Sequence, residues 1–357
     1  MTTFYQTAIF LLTLALLSTC QKETADTPEP LKVLGIKACD LSFLPEIRAA
    51  NAVYKNATGQ AEDPLVTLKQ AGVNTVRLRL WHNPADGHSG FAEVKAFAQE
   101  LKSKDFKTWL TVHYSDTWAD PGKQQKPDAW KLLSYAQLKD SVYAYTKKIV
   151  TEINPDYIQI GNEINAGILF PDGAYANFSQ LTELVQQGIK AVRDHSSQTK
   201  VMLHYAGHDY AYQFFTKLGI TDFDLIGLSY YPTWHGKDLT QLGININALA
   251  NQFKKDIVIA ETAYPFTLGY NDYTNNIIGL DNQLLPGYPA TPQGQKDFLA
   301  ANKGILQQNF KGAGLCYWGA EWIAYRGSTA TNGSSWENQA LWDFNNQALP
   351  VMQVFKD

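Results

Sequence analysis

"YIQIGNEINAG" (residues 157–167) sets the terms on which the rest of the chain is read. Its first half is an apolar run of the kind that fills a buried strand. The run breaks off at Asn162 and Glu163. A buried carboxylate is costly unless it is paired, hydrogen-bonded or neutralised. An acid kept at the end of a strand therefore suggests a chemical use.

The same grammar recurs in "DIVIAETAYP" (256–265), where Glu261 closes a second apolar run. Around these two lie six more short β-rich runs: "KVLGIKA" (32–38), "NTVRLRLW" (74–81), "KTWLTVHYS" (107–115), "KVMLHYAG" (200–207), "DLIGLSYYP" (224–232) and "GAGLCYWGAEW" (312–322). With "DYIQIGNE" (156–163) they make eight. Between them run stretches such as "GFAEVKAFAQELKSKD", "LKDSVYAYTKKIVTEI" and "FSQLTELVQQGIKAVRDH", whose apolar residues recur at i, i+3 and i+4. Eight β units alternating with helices, in one composition regime, predict an α/β fold: a (β/α)8 TIM barrel forming a single catalytic domain over residues 32–357. The competing architecture is a doubly wound open sheet, but no G-x-G-x-x-G follows the first run, so a dinucleotide site is not expected.

The chemically unusual residues gather at one end of the runs. Asp40 and Ser42 follow the first; Arg79, Trp81 and Asn83 end the second; His113, Ser115 and Asp116 the third; Asn162 and Glu163 the fourth. His204 and His208 flank the end of the fifth, Tyr230, Trp234 and His235 follow the sixth, Glu261 the seventh, and Trp318, Glu321 and Trp322 the eighth. In such barrels the active site lies at the C-terminal ends of the strands. Arg77 and Arg79 share a strand face, and two residues rise about 6.5–7 Å, so Arg79 is expected nearer the mouth and Arg77 deeper, as a buried structural partner.

Composition narrows the classes. The 357 residues are 45% hydrophobic and 18% charged, which describes a globular protein with ample core. A net charge of −4 without a basic block argues against a nucleic-acid partner. Nine Trp and nineteen Tyr either fill a core or offer flat faces to sugars. "AIFLLTLALLSTC" reads as an export segment over residues 1–20, although "MTTFYQT" lacks the usual basic residues. Leu-Ser-Thr-Cys resembles a relaxed lipobox with Cys20 as the acylated residue; the plainer alternative is an ordinary secretory signal with an incidental Cys. Residues 21–31 read as a flexible tether. Together these predict an exported bacterial outer-membrane lipoprotein, at the cell surface or in the periplasm, held to the membrane through Cys20 and monomeric. Cys39 and Cys316 are too few for a disulfide scaffold or a Cys-based zinc site. They fall on strands that a closed barrel makes neighbours; buried free thiols are the ordinary outcome.

Glu163 and Glu261 would face each other across the mouth. Carboxyl groups about 5–5.5 Å apart suit a retaining glycosidase and about 6.5–9.5 Å an inverting one. In the retaining case one attacks the anomeric carbon while the other protonates the leaving oxygen and later deprotonates water. A lone strand-end Glu is more simply a salt bridge or a cap; two of them beside Arg79 and several Trp favour catalysis. His113, His204, His208 and His235 raise a metal reading, yet no close H-x-H pair is present. No G-x-S-x-G elbow supports a serine nucleophile.

Taken together, "ACDLSFLPEI", "VRLRLWHNP", "VHYSDTWADPGKQ", "IQIGNEINAG", "LSYYPTWHG", "ETAYPF" and "SWENQALWDF" span most of residues 33–350 in order. The chain resembles the endo-β-1,4-galactanases of glycoside hydrolase family 53. That resemblance implies β-1,4-galactan or type I arabinogalactan as the polysaccharide substrate. It implies Glu163 as acid/base, Glu261 as nucleophile and Asn162 on the sugar 2-hydroxyl. It also implies that Arg79 keeps Glu261 ionised, and that Asp40, His113, Asp116, Trp118, Tyr230, Trp234, His235 and Trp318 line the cleft or brace its loops. Two departures stand out. Relatives often carry Tyr-Trp-Glu-Pro on the eighth strand, where this chain has Gly319 and Ala320, with Glu321 following. Some bacterial relatives carry an acidic calcium loop after the seventh; here "TLGYNDYTNNIIGLDNQ" offers only Asp272 and Asp281. Calcium prefers more carboxylate oxygens, so no cofactor or catalytic metal is expected and the loop argues against a structural calcium. The rival readings are another retaining β-glycanase, acting on mannan or glucan, and a barrel that binds glycan without cleaving it.

Overall fold

The computed structural model describes residues 31–356 together with Met1. The export segment, Cys20 and the tether up to residue 30 lie outside the described residues.

Eight parallel strands close into a barrel in chain order: β1 (Ile36–Asp40), β2 (Thr75–Leu80), β3 (Lys107–Val112), β4 (Tyr157–Ile160), β5 (Lys200–Ala206), β6 (Leu225–Ser229), β7 (Asp256–Thr262) and β8 (Gly312–Tyr317). β8 returns to β1 with Cys316 beside Ala38 and Tyr317 beside Cys39, which closes the ring. The main helices of the connections are α1 (Pro64–Gln70), α2 (Phe91–Ser103), α3 (Tyr135–Glu152), α4 (Phe178–His195), α5 (Ala211–Leu218), α6 (Leu239–Phe253) and α7 (Pro292–Gln308), with shorter turns of helix at Leu44–Ala49 and Pro232–His235. After β8 a 3-10 turn, Pro350–Phe355, takes the place of an eighth helix and packs on α7.

Side chains alternate across each strand, so one set points into the barrel and the other toward the helices. Ile36, Ala38, Trp109, Met202, Leu225, Val258, Ala260 and Cys316 make one buried apolar cluster, and the much larger one, between sheet and helices, holds residues such as Val76, Leu110 and Ile158. α3 shows how a helix joins that layer. Ser134 and Gln137 form a reciprocal capping box at its start, and Leu138, Val142, Tyr145, Ile149 and Val150 recur at helical spacing as its buried face. Each fully buried aliphatic side chain there contributes roughly 1.5–3 kcal/mol.

The strands differ from the apolar runs in informative ways. β1 begins four residues later than its run, because Val33 remains exposed, and extends to Asp40, which sits in register with Arg77. Several other runs overshoot their strands: the tails at 113–115, 161–163, 230–232 and 318–322 leave the sheet and become the rim. Cys39 and Cys316 are both free and buried. They stand one register step apart on neighbouring strands, Cys39 in the outer cluster and Cys316 in the inner one, so their side chains point to opposite faces and no disulfide can form.

Candidate active site

Gly161 takes a φ of +84° and Glu163 a φ of +47°, so the chain turns sharply where β4 ends. The left-handed conformation is uncommon for a side chain as long as Glu. Gln124 holds the turn by donating from Nε2 to the carbonyl of Asn162 at 2.8 Å. The result aims Glu163 over the mouth instead of along the sheet.

Glu261 points inward near the end of β7. Arg77 lies 2.6 Å from its Oε1, and the Tyr231 hydroxyl donates to Oε2 at 3.2 Å. One carboxylate oxygen of Glu163, one of Glu261 and a ring nitrogen of His204 all lie within 4.8 Å of one another. The acids thus meet over the barrel, close to the separation of a retaining pair.

Their surroundings differ. Burial and then the neighbouring Glu261 push Glu163 up to about 8, opposed by the Ser229 hydroxyl that donates to its Oε1 at 2.5 Å. Burial also raises Glu261, but Arg77 pulls it back, with Tyr231 adding to that pull. Of the two, Glu261 is the one held beside a fixed cation, so the shared proton belongs on Glu163. Ser229 also lies 3.0 Å from His204 Nε2, and His204 Nδ1 lies 3.1 Å from Asn162 Oδ1. Burial keeps His204 neutral. The three atoms that could share a metal are therefore already engaged, His204 at both nitrogens and Glu261 at both oxygens, beside a guanidinium that repels a cation.

Arg77, not Arg79, is the partner of Glu261. Arg77 is the deeper of the two, as parity required, but it is more than a structural filler. It lies 2.7 Å from Asp40 and donates to Gln159 and to Asn162 Oδ1. Burial alone would lower Arg77; Glu261 and Asp40 outweigh it and raise it. Arg79 stands nearer the mouth, where its neighbours are rings. Its guanidinium carbon lies 4.1 Å from the ring centroid of Trp118, 4.4 Å from Trp81 and 4.6 Å from Phe43, and Nε donates to Ser89. Burial lowers it to about 10. Arg77→Met is expected to destabilise the fold by about 3–5 kcal/mol, because Asp40 and Glu261 lose their buried counter-ion. Chemical denaturation measures this; a change below about 1 kcal/mol would mean the pairs are solvated.

A cleft of about 580 Å³ opens above the acids. His113, Trp118, Asn162, Trp234, His235 and Trp318 line it, as do Arg77 and Arg79. Asn162 donates to the Ala119 carbonyl at 2.8 Å, and the Ala119 N–H donates to His113 Nδ1, so one loop locks both side chains. His235 Nδ1 accepts from the Tyr231 N–H, and burial lowers its pKa to about 4. Asp40 and Asp116 stay out of the cleft. Asp40 pairs with Arg77 and accepts from Ser42, and Asp116 accepts from the Asn83 and Asp128 N–H groups, pinning two loops together.

Tyr230 braces a loop and does not line the cleft. It is fully buried on the helix side, stacked on Phe298, with its hydroxyl donating to the Gly236 carbonyl. It supports the Trp234 loop from behind; the tyrosine in the cleft is Tyr231. Alternation along β6 carries this signal: Ser229 points in, so Tyr230 points out and Tyr231 in. Trp336 was also missed, arriving from a loop long after β8. Gly319 explains how it fits. With φ +64° it bends β8's exit, and a Cβ there would lie 2.8 Å from the Trp336 ring. Trp318 meets Trp336 edge-on at 4.7 Å. Glu321 turns away from the cleft and accepts from the Phe43 N–H at 2.7 Å, placing Phe43 against Trp322 at 3.8 Å.

The loop after β7 contributes two acids, Asp272 and Asp281. Asp281 is exposed and begins a 3-10 turn. Asp272, however, is buried near Glu337, which comes from beyond β8; burial and then Asp272 push Glu337 up to about 7. Asp272 Oδ2 and Glu337 Oε2 have no hydrogen-bond partner. Their hard, unpartnered oxygens fit calcium in donor type.

The sequence comparisons agree with this geometry. The family model "Glycosyl hydrolase family 53" matches residues 36–355. An arabinogalactan endo-beta-1,4-galactanase of Cellvibrio japonicus is 35% identical, over 89% of this chain and 89% of its own. An endo-beta-1,4-galactanase of Bacillus subtilis is 31% identical, over 90% and 85%. The Ignisphaera aggregans GH53 catalytic domain superposes with a TM-score of 0.87 at 38% identity, covering 92% of this chain and 97% of that one. With a match that runs through all eight strands and the acid pair they assemble, the chain belongs to glycosyl hydrolase family 53.

Proposed function

We propose that this protein is an endo-acting galactanase that cleaves β-1,4-galactosidic bonds in galactan and type I arabinogalactan with retention of configuration. The observation that carries the chemistry is the Glu163–Glu261 pair, one oxygen of each within 4.8 Å of the other, with a cation beside only one of them. Family membership and the names of the relatives support the substrate.

Glu261, ionised against Arg77, attacks the anomeric carbon as Glu163 donates its proton to the leaving oxygen. The product is a galactosyl ester of Glu261, and the leaving chain departs with a new hydroxyl. Glu163, now a carboxylate, takes a proton from water, and that water displaces Glu261. Asn162 is held by Arg77, Ala119 and the His204 ring and faces the sugar 2-hydroxyl, whose contact strengthens in the transition state. Trp118, Trp234, Trp318 and Trp336 offer rings to neighbouring galactose units. A calcium ion beside Asp272 and Glu337 would tie the loops that follow β7 and β8, which a chelator's effect on melting temperature would reveal; no catalytic step passes through it.

The test is product analysis by NMR early in the hydrolysis of linear galactan. We expect mixed short oligosaccharides whose new reducing ends appear first as the β-anomer. Strong activity on mannan or glucan with none on galactan would replace the substrate. The glycan-binding reading would require that no new reducing ends form on any polymer.

A further inference from the structure

A second cavity, of about 390 Å³, is lined from the exit of β5 and from the helix that follows β6. Nothing in the mechanism uses it. Its wall comes from the segment after β5, with Asp209, Tyr210 and Tyr212, and from α6, with Gln241 and Asn245. The same β5 exit also borders the cleft through Ala206. Tyr210 follows four residues later, so at most about 14 Å of chain separates the two linings. The ridge between them is the loop after β6. A Cβ on Gly207 would lie 3.0 Å from the His235 ring, and His208 lies 2.9 Å from the His235 carbonyl.

Resting on the galactanase reading, we propose that this cavity is a distal subsite for the leaving-group portion of the galactan chain, with Tyr210 as its stacking surface. Three features argue for a sugar. Tyr210 is 75% exposed, with a φ of +60° that a bulky residue rarely adopts, and it caps the start of α5 through its carbonyl, which accepts from Phe214. Its ring is thus presented to solvent from a fixed point. Tyr offers a large amphipathic face with only two torsions to freeze. The polar wall is already ordered: Gln241 donates to Asn245 at 2.9 Å, and Asn245 bonds His208 at 2.7 Å and Asp209 at 3.2 Å. Amide and carboxylate edges around an aromatic face, bonded in place beforehand, suit hydroxyl-rich ligands at low ordering cost. The side follows from the acid. Glu163, just past β4, protonates the leaving oxygen, and β5, whose exit leads to Tyr210, is β4's neighbour. Trp234, which lines the cleft and follows β6, is itself 53% exposed and offers a ring on that side.

The experiment compares Tyr210→Gly, which removes the ring and accepts the positive φ, with the wild type on two substrates. One is linear galactan; the other is a nitrophenyl galacto-oligosaccharide, whose phenol ends the chain just past the scissile bond. Gln213→Ala, another lining residue, serves as the second variant. We expect kcat/KM on galactan to fall about fivefold for Tyr210→Gly, less for Gln213→Ala, and to stay unchanged for both on the nitrophenyl substrate. Unchanged values on galactan would overturn the proposal, as would equal losses on both substrates, which indicate a disturbed fold. If the wild type prefers another glycan, the substrate reading falls by itself, and the same comparison on that glycan still decides what the cavity does.

Discussion

Glu261→Gln is expected to lower turnover of galactan by on the order of 10⁴- to 10⁶-fold while leaving the barrel folded. The amide keeps the shape: its oxygen can still accept from Arg77, and its NH2 can donate to the Tyr231 hydroxyl oxygen, where today both groups reach carboxylate oxygens. What it cannot do is form the galactosyl ester, since a neutral amide is a poor nucleophile and there is no second carboxylate at that position. Release of reducing ends under single-turnover conditions, with a melting curve alongside, checks both halves. A variant that retains a tenth of wild-type turnover would remove Glu261 from the covalent role. In the wild type, a short-lived mass increase matching a galactosyl adduct on the peptide containing Glu261 would be the positive counterpart.

Glu163→Gln should cost about 10²- to 10⁴-fold on galactan, the range typical of a general acid, and the loss should depend on the leaving group. A nitrophenolate departs without a proton, so the first step on an aryl substrate is nearly spared and the second, which needs a base, becomes limiting. The pH profile adds an independent reading. Glu163 must carry a proton to act as the acid, and its raised value of about 8 keeps it protonated below that pH. Wild-type kcat/KM should therefore hold through neutrality and fall as pH rises past about 8. That alkaline limb belongs to the coupled pair and not to one residue. Glu163→Gln should lose it. A variant whose profile still bends near 8 would assign the limb to another group.

The barrel was legible because its signal is repeated: eight runs and their helices agree, and no single misread run changes the class. The two acids were legible for a related reason, each being a charged residue at the end of an apolar stretch. What the runs could not supply was the position at which a strand leaves the sheet. Apolar character continues through 230–232 and 318–322, although the backbone has already turned there, so apolarity overstates the strand ends. Arg77 and Arg79 show a second limit. Their order in depth followed from a two-residue rise, but which of them meets Glu261 depends on a partner 184 positions away. Tyr231 was within reach of simple alternation from Ser229. Trp336 and Glu337 were not, because they arrive from a loop whose path is set by tertiary packing.

Gly319 carries a consequence for how this sequence can change over evolutionary time. The position departs from the Tyr-Trp-Glu-Pro run that the resemblance led one to expect, and the ring of Trp336 fills the room a side chain would need. Neither site can drift alone. Restoring a Glu at 319 beside the indole forces a collision, and trimming the indole first leaves a void. The two positions form an epistatic pair, so lineages with and without this glycine should be separated by coordinated double replacement and not by a ladder of tolerated single steps.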